Sequence, residues 1–246
     1  MKLTLAEPKF FKEPIMVISE LVNEVVFKID KEKLELVAMD PANVAMIVYK
    51  LLGSVFVEYD INKEVEIAVN LDNLKQVLRR AKPSDTLTLE LLESKLKITL
   101  KSSSTRVFTL SLINMQEERQ KVPDLDFKCR IDMPCILFDE AVEDMDVVSD
   151  SVAFEINDNI FNIQAAGNIS TAKVSFMHGD SVKINSKDSN IRARYSVEYL
   201  KKIIKGSKLS DNMVLWLSND YPLKVEYKII DKLSLATILA PRVSND

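Results

Sequence analysis

The sequence predicts an α+β chain of two homologous halves, each with antiparallel sheets and two helices. Three observations carry this. Leu71–Asp85 aligns without a gap to Val197–Asp211, 126 residues later. Short alternating segments on either side of that match recur at an offset of 126 or 127. Each half also repeats one order of patterns: strand, helix, several strands, helix, several strands.

The first half opens on an alternating run, Met1 to Leu5. A helix follows over about Pro8 to Val22, with Phe11, Ile15, Ile18 and Val22 on one apolar stripe. Pro14 falls inside it and is expected to shorten or kink it, because proline has no N–H. Val25–Ile29 and Leu34–Ala38 have the period of two of half-buried strands. Asp30-Lys31-Glu32-Lys33 between them has hairpin turn chemistry. Leu71–Asp85 is read as the second helix, and Thr86–Leu91, Lys97–Lys101 and Val107–Leu110 as further strands.

The second half repeats this. Its first helix runs from about Pro134 to Val147, with apolar Phe138, Val142 and Met145. Val152–Ile156 and Phe161–Ala165 flank the turn Asn157-Asp158-Asn159. After the helix at Val197–Asp211 come Asn212–Leu217, Lys224–Lys228 and Ser234–Thr237. Between the halves, 114–127 begins polar and aperiodic and reads as a surface connector. The expected domains are therefore 1–113 and 128–246.

In the matched helices Lys75 aligns with Lys201, Arg79 with Lys205, and Lys82 with Lys208. Spacing of four and then three puts each trio on one helical stripe, away from the apolar one. An ordinary solvated face gives the same pattern, but recurrence at matched positions points to a shared role toward something anionic and extended. The net charge of −4 excludes a globally basic nucleic-acid binder, so these stripes matter only if the fold gathers them.

Hydrophobic residues make up 47% of the chain, enough for a sizeable core. Cys129 and Cys135 have no metal-ligand spacing and read as reduced thiols of an intracellular protein. No secretory leader or membrane-length apolar run is read, so no membrane partner is expected. His178 is the only histidine, and no phosphate-binding loop or hydrolase motif occurs. No catalytic residue, metal or cofactor is expected; Asp40 and Asp85 read as turn or cap residues.

Four segments occur in order along this duplicated chain: Ala38–Val44, Val122–Phe127, Tyr221–Tyr227 and Leu239–Val243. With both halves, they make the whole chain resemble the DNA sliding clamps of the proliferating cell nuclear antigen family. The short tail and only 4 glycines resemble its archaeal members. The resemblance implies a trimeric ring of pseudo-sixfold symmetry around duplex DNA, with helices lining the hole and sheets on the rim. It implies a non-catalytic processivity factor in replication and repair. Its compartment is the cytoplasm, at the nucleoid, if archaeal, and the nucleus if eukaryotic.

The DNA-facing residues it implies are Lys75, Arg79, Arg80, Lys82, Lys201, Lys202, Lys205 and Lys208, with Lys9 and Lys12. DNA would be held without sequence preference. DNA polymerase, clamp loader, ligase and nuclease would dock by peptides in a groove formed by Met39, Val44, Val122, Leu125, Pro222, Ile238, Ala240 and Pro241. Ring closure, as homotrimer or as heterotrimer with paralogues, would join the edges Thr105–Ile113 and Ser170–His178. Arg106, Phe108, Leu110, Lys173, Val174 and Phe176 would line that interface. One departure stands out: the first helix of the second half carries Asp139, Glu140, Glu143, Asp144 and Asp146 and no base. The alternative is a peptide-binding scaffold of the same fold that never encircles DNA.

Overall fold

The structure is a computed structural model that describes residues 1–114 and 120–243. Met115, Gln116, Glu117, Glu118 and Arg119 of the expected connector lie outside the described residues. The chain forms two compact units. The first comprises Met1–Pro41, Ile47–Val122 and Ile229–Leu235, and the second Ala42–Met46, Pro123–Lys228 and Ala236–Asp246.

In chain order the first half holds β1 (Lys2–Leu5), α1 (Lys9–Ile18), β2 (Glu24–Ile29), β3 (Lys33–Met39), β4 (Ala45–Leu52), β5 (Glu58–Asp60), β6 (Val65–Asn70), α2 (Leu71–Leu78), β7 (Thr86–Leu92), β8 (Lys95–Lys101) and β9 (Thr105–Ser111). One sheet has the order β5-β1-β7-β8-β9, and a second set runs β4-β3-β2-β6. Pairing is antiparallel, as the alternating patterns require. Alternation buries Leu34, Leu36 and Ala38 on β3 and Leu96, Ile98 and Leu100 on β8.

Pro14 does not end α1. α1 runs through it, with Phe11, Pro14, Ile15 and Ile18 buried. Proline cannot donate to the carbonyl of Phe10 four residues back. The buried phenol of Tyr49 on β4 donates to that carbonyl instead, at 2.8 Å. Beyond Ile18 a single turn carries Val22, whose N–H reaches the Ile18 carbonyl at 3.1 Å, so the helix ends four residues before the expected Val22.

α2 is also shorter than its reading. Asn70 caps it by accepting from the Asn73 N–H at 3.1 Å, and it ends at Leu78 rather than near Asp85. Lys82 precedes Pro83, and a residue before proline is pushed out of the helical region. The Asp85 carboxylate then accepts from the Lys82 N–H at 2.7 Å, closing the turn into β7.

The second half holds β10 (Cys129–Pro134), α3 (Cys135–Asp146), β11 (Ser151–Asn157), β12 (Ile160–Ala166), β13 (Thr171–Met177), β14 (Lys183–Ser186), β15 (Asn190–Ser196), α4 (Val197–Ile203), β16 (Asn212–Leu217), β17 (Leu223–Ile229) and β18 (Leu233–Leu239). Its strands run β14-β10-β16-β17-β18 and β13-β12-β11-β15. These are the orders of the first half, strand for strand. The turn between β11 and β12 places Asp158 and Asn159 at φ of 44° and 67°, which these short polar residues tolerate.

α4 tightens into a 3-10 turn over Ile204–Lys208. There Tyr227, buried on β17, donates its phenol to the Ile203 carbonyl at 3.1 Å. The Tyr227 ring sits so close that a Cβ on Gly206 would come within 2.3 Å of it. Glycine is required by that close approach. No helix among the described residues is long and apolar enough to cross a membrane.

Candidate nucleic-acid interface

The expected single stripes of cations are not what the chain builds. Lys75 lies within α2, Arg79 caps its end, and Arg80 and Lys82 follow it. Arg79, Arg80 and Lys82 are exposed, whereas Lys75 is half-buried and pairs with Asp72 at 3.2 Å. On α1, Lys9 pairs with Glu7 at 2.6 Å, and the Lys12 ammonium donates to the Ala81 carbonyl at 3.0 Å. Lys9, Lys12 and Lys82 line a cleft of about 180 Å³ that also includes Glu7 and Glu13. The first unit therefore brings six expected cations to one helix pair.

In the second unit the expected cations are largely occupied. Lys201 pairs with Asp146 at 2.5 Å and approaches Glu143 at 4.0 Å, so two of the unexpected acids of α3 turn toward α4. The hydrogen bond that Lys201 donates to Asp146 raises the Lys201 pKa. Lys202 pairs with Glu198 at 2.8 Å and stands 5.1 Å over the Tyr199 ring. Lys205 and Lys208 lie on the 3-10 turn, where a spacing of three puts them on one exposed face.

Superposing the buried stripes pairs Phe11 with Phe138, Ile15 with Val142 and Ile18 with Met145, all at most 1% exposed. In this register Asp139 replaces Lys12. Its carboxyl is held above the usual range by burial, although a hydrogen bond from Ser207 opposes the shift. Ser207 in turn occupies the place of Ala81. One spot thus holds a lysine reaching a carbonyl in the first unit and a half-buried carboxyl in the second.

Arg106 is one of the residues expected at a subunit interface. Within its own unit its guanidinium donates to the Asp85 carboxylate at 2.5 Å and to the Arg80 carbonyl at 2.8 Å. The Lys82 N–H, then a hydrogen bond from Ser102 and the bond and charge of Arg106, hold Asp85 down at a pKa of about 2, against the burial that opposes them. This confirms Asp85 as a turn residue and gives it a partner that the sequence did not reveal. Phe108 and Leu110 on β9, and Val174 and Phe176 on β13, are half-buried, and Lys173 is exposed. β9 and β13 each end a sheet, with one side unpaired among the described residues.

Of the expected groove, Met39 and Val122 belong to the first unit, and Val44, Leu125, Pro222, Ile238, Ala240 and Pro241 to the second. Within the second unit the Ala240 N–H donates to the Val44 carbonyl at 2.8 Å, fixing the tail beside the start of β4. Ile238 is only 8% exposed, while Leu125, Pro222, Ala240 and Pro241 are half-buried. The sequence reading missed the anchor of the connector. Phe127 stacks near Trp216 at 6.2 Å and edge-on to Tyr221 at 5.8 Å, and a lone aromatic closing a polar segment was its signal.

The other candidates for chemistry are structural. Burial pushes the Cys129 and Cys135 thiols up to about 11 and about 12, away from reactivity. The ring of His178 accepts the Ile184 N–H at 3.0 Å. No three His, Cys, Asp or Glu side chains converge as a metal site among the described residues.

Two family models cover the chain. The N-terminal domain of proliferating cell nuclear antigen matches residues 1–134, and the C-terminal domain matches 121–242. The chain is 35% identical over 237 residues to the DNA polymerase sliding clamp of Pyrococcus horikoshii, covering 96% of this chain and 95% of that one. It is 30% identical to the clamp of Nanoarchaeum equitans, over 98% of this chain and 99% of the relative. The crystal structure of PCNA from Thermococcus kodakaraensis superposes with a TM-score of 0.92 at 25% identity, covering 98% of this chain and 99% of that one. A duplicated topology, paired helices in each copy and matches from one end to the other make one conclusion: the chain belongs to the proliferating cell nuclear antigen family.

Proposed function

We propose that this chain is a sliding clamp: a ring subunit that encloses duplex DNA and tethers polymerase and other replication and repair proteins as a non-catalytic processivity factor. The observation that carries the reading is family membership along the whole chain, on a topology that presents a helix pair in each copy. Such a device needs phosphate contacts that are weak, salt-sensitive and blind to sequence, and exposed Arg79, Arg80, Lys82, Lys205 and Lys208 suit that. The ring itself is supported by its edges. β4 and β18 are the counterparts of β13 and β9, and in the second unit the start of β4 runs beside the end of β18. A second copy laying β9 along β13 would repeat that arrangement, with Phe108, Leu110, Val174 and Phe176 closing the seam. The half-buried Leu125, Pro222, Ala240 and Pro241 offer an apolar seat for partner peptides.

The test is polymerase stimulation on primed circular DNA. Reversing Lys75, Arg79, Lys201 and Lys205 to Glu abolishes stimulation while the ring still assembles. Full stimulation by that variant would leave only the scaffold reading.

A further inference from the structure

We propose that the two helix pairs of this chain are unequal partners for DNA: phosphates are engaged by the first unit, while the second unit's pair opposes them. This rests on the reading of the chain as a DNA clamp and sharpens it. Across α1, α2 and the turn to Lys82, six cations (Lys9, Lys12, Lys75, Arg79, Arg80, Lys82) face two carboxylates (Glu13, Asp72), a balance of +4. Across α3, α4 and the 3-10 turn, four lysines face six acids, a balance of −2. The inversion is made position by position: Asp139 replaces Lys12, Glu143 replaces Met16, Asp144 replaces Val17, and Gly206 replaces Arg80.

Pairing deepens the difference. Ion pairs engage two of the four lysines of the second unit, Lys201 with Asp146 and Lys202 with Glu198, but two of the six cations of the first, Lys9 with Glu7 and Lys75 with Asp72, where Arg79, Arg80 and Lys82 stand exposed. Glu140 and Asp144 are exposed on α3. At physiological salt charges act over about 8 Å, so exposed acids on this helix pair lower its local attraction for an approaching phosphate. The first unit instead has a cleft lined by Lys9, Lys12 and Lys82, along with Glu7 and Glu13, and the Lys12 side chain is already oriented by the Ala81 carbonyl. The three lysines outnumber the two carboxylates of that cleft, and exposed Arg79 and Arg80 extend the cationic surface beyond it.

The experiment compares three variants of the full chain by fluorescence anisotropy on a labelled linear duplex across a salt series, each checked for unchanged melting. Arg79→Ala with Arg80→Ala and Lys82→Ala lowers affinity at least tenfold and reduces the log–log salt slope by about 2 to 3. Lys202→Ala with Lys205→Ala and Lys208→Ala lowers affinity less than threefold. Glu140→Gln with Asp144→Asn raises it. Equal losses from the two triple variants would overturn the inequality and leave the clamp reading standing. No loss from either would overturn both.

Discussion

The pair α1 and α2 and the pair α3 and α4 occupy equivalent places in two copies of one topology, and the centres of their buried stripes match: Phe11 with Phe138, Ile15 with Val142 and Ile18 with Met145. Their outer faces do not. Lys12 reaches the Ala81 carbonyl where Asp139 takes a hydrogen bond from Ser207. Arg80 is exposed where Gly206 is buried beneath Tyr227. Asp85 grips Arg106 where Asp211 is exposed and Leu233 replaces the arginine. The apolar stripe is fixed by the core it fills, since any change there opens a cavity or a clash. The opposite face is held only where it meets its own unit, and each copy has found different partners for it.

The largest effect that can break this comparison lies at the Arg80/Gly206 position. Gly206→Ala drives a Cβ into the Tyr227 ring, and overpacking of this kind costs about 3 kcal/mol. Arg80→Ala, at the matched place, stays within about 0.5 kcal/mol. Urea unfolding of the two variants decides it, and equal losses would mean that the copies are packed alike.

Next is the turn that closes α2. Asp85→Asn removes the charge partner of Arg106 and costs about 2 kcal/mol at neutral pH, while Asp211→Asn stays within about 0.5 kcal/mol. The sign with pH follows from the depressed pKa. The Asp85 carboxylate contributes fully above the ordinary carboxylate range near 4, and that contribution is lost as pH falls through its folded value of about 2. The penalty of Asp85→Asn therefore shrinks between about pH 4 and pH 2, which thermal unfolding across that window measures.

The smallest effect is at Asp139, and its sign is opposite. Burial raises this carboxyl, so at neutral pH its charged form is a cost to the folded state. Asp139→Asn raises Tm slightly at pH 7, and the gain disappears in acid as the wild-type carboxyl takes up its proton. A loss at pH 7 would mean that the charge is held by a partner rather than merely buried.

Much of this was legible in the sequence, because a period of two or of 3.6 survives in single residues. The alternation of Leu34, Leu36 and Ala38 and the stripe of Phe138, Val142 and Met145 are where the pattern put them. Helix ends were less legible. Pro14 read as a shortening or a kink because Tyr49, which supplies the missing donor, lies 35 residues further on. Lys82 and Lys208 read as helical because a spacing of three fits an α-helix, a 3-10 turn and a loop alike. Asp146 and Glu143 of α3 read as part of an anomaly because their partner, Lys201, lies on another helix. What a one-dimensional pattern cannot hold is the identity of the group across the gap.

The most direct test of the clamp itself is retention on DNA after loading onto a nicked circle. The account predicts that the chain stays on the closed circle through a high-salt wash and is lost once the circle is cut at one site, because the linkage is topological. Equal retention on circle and linear DNA, or release from both, would contradict it.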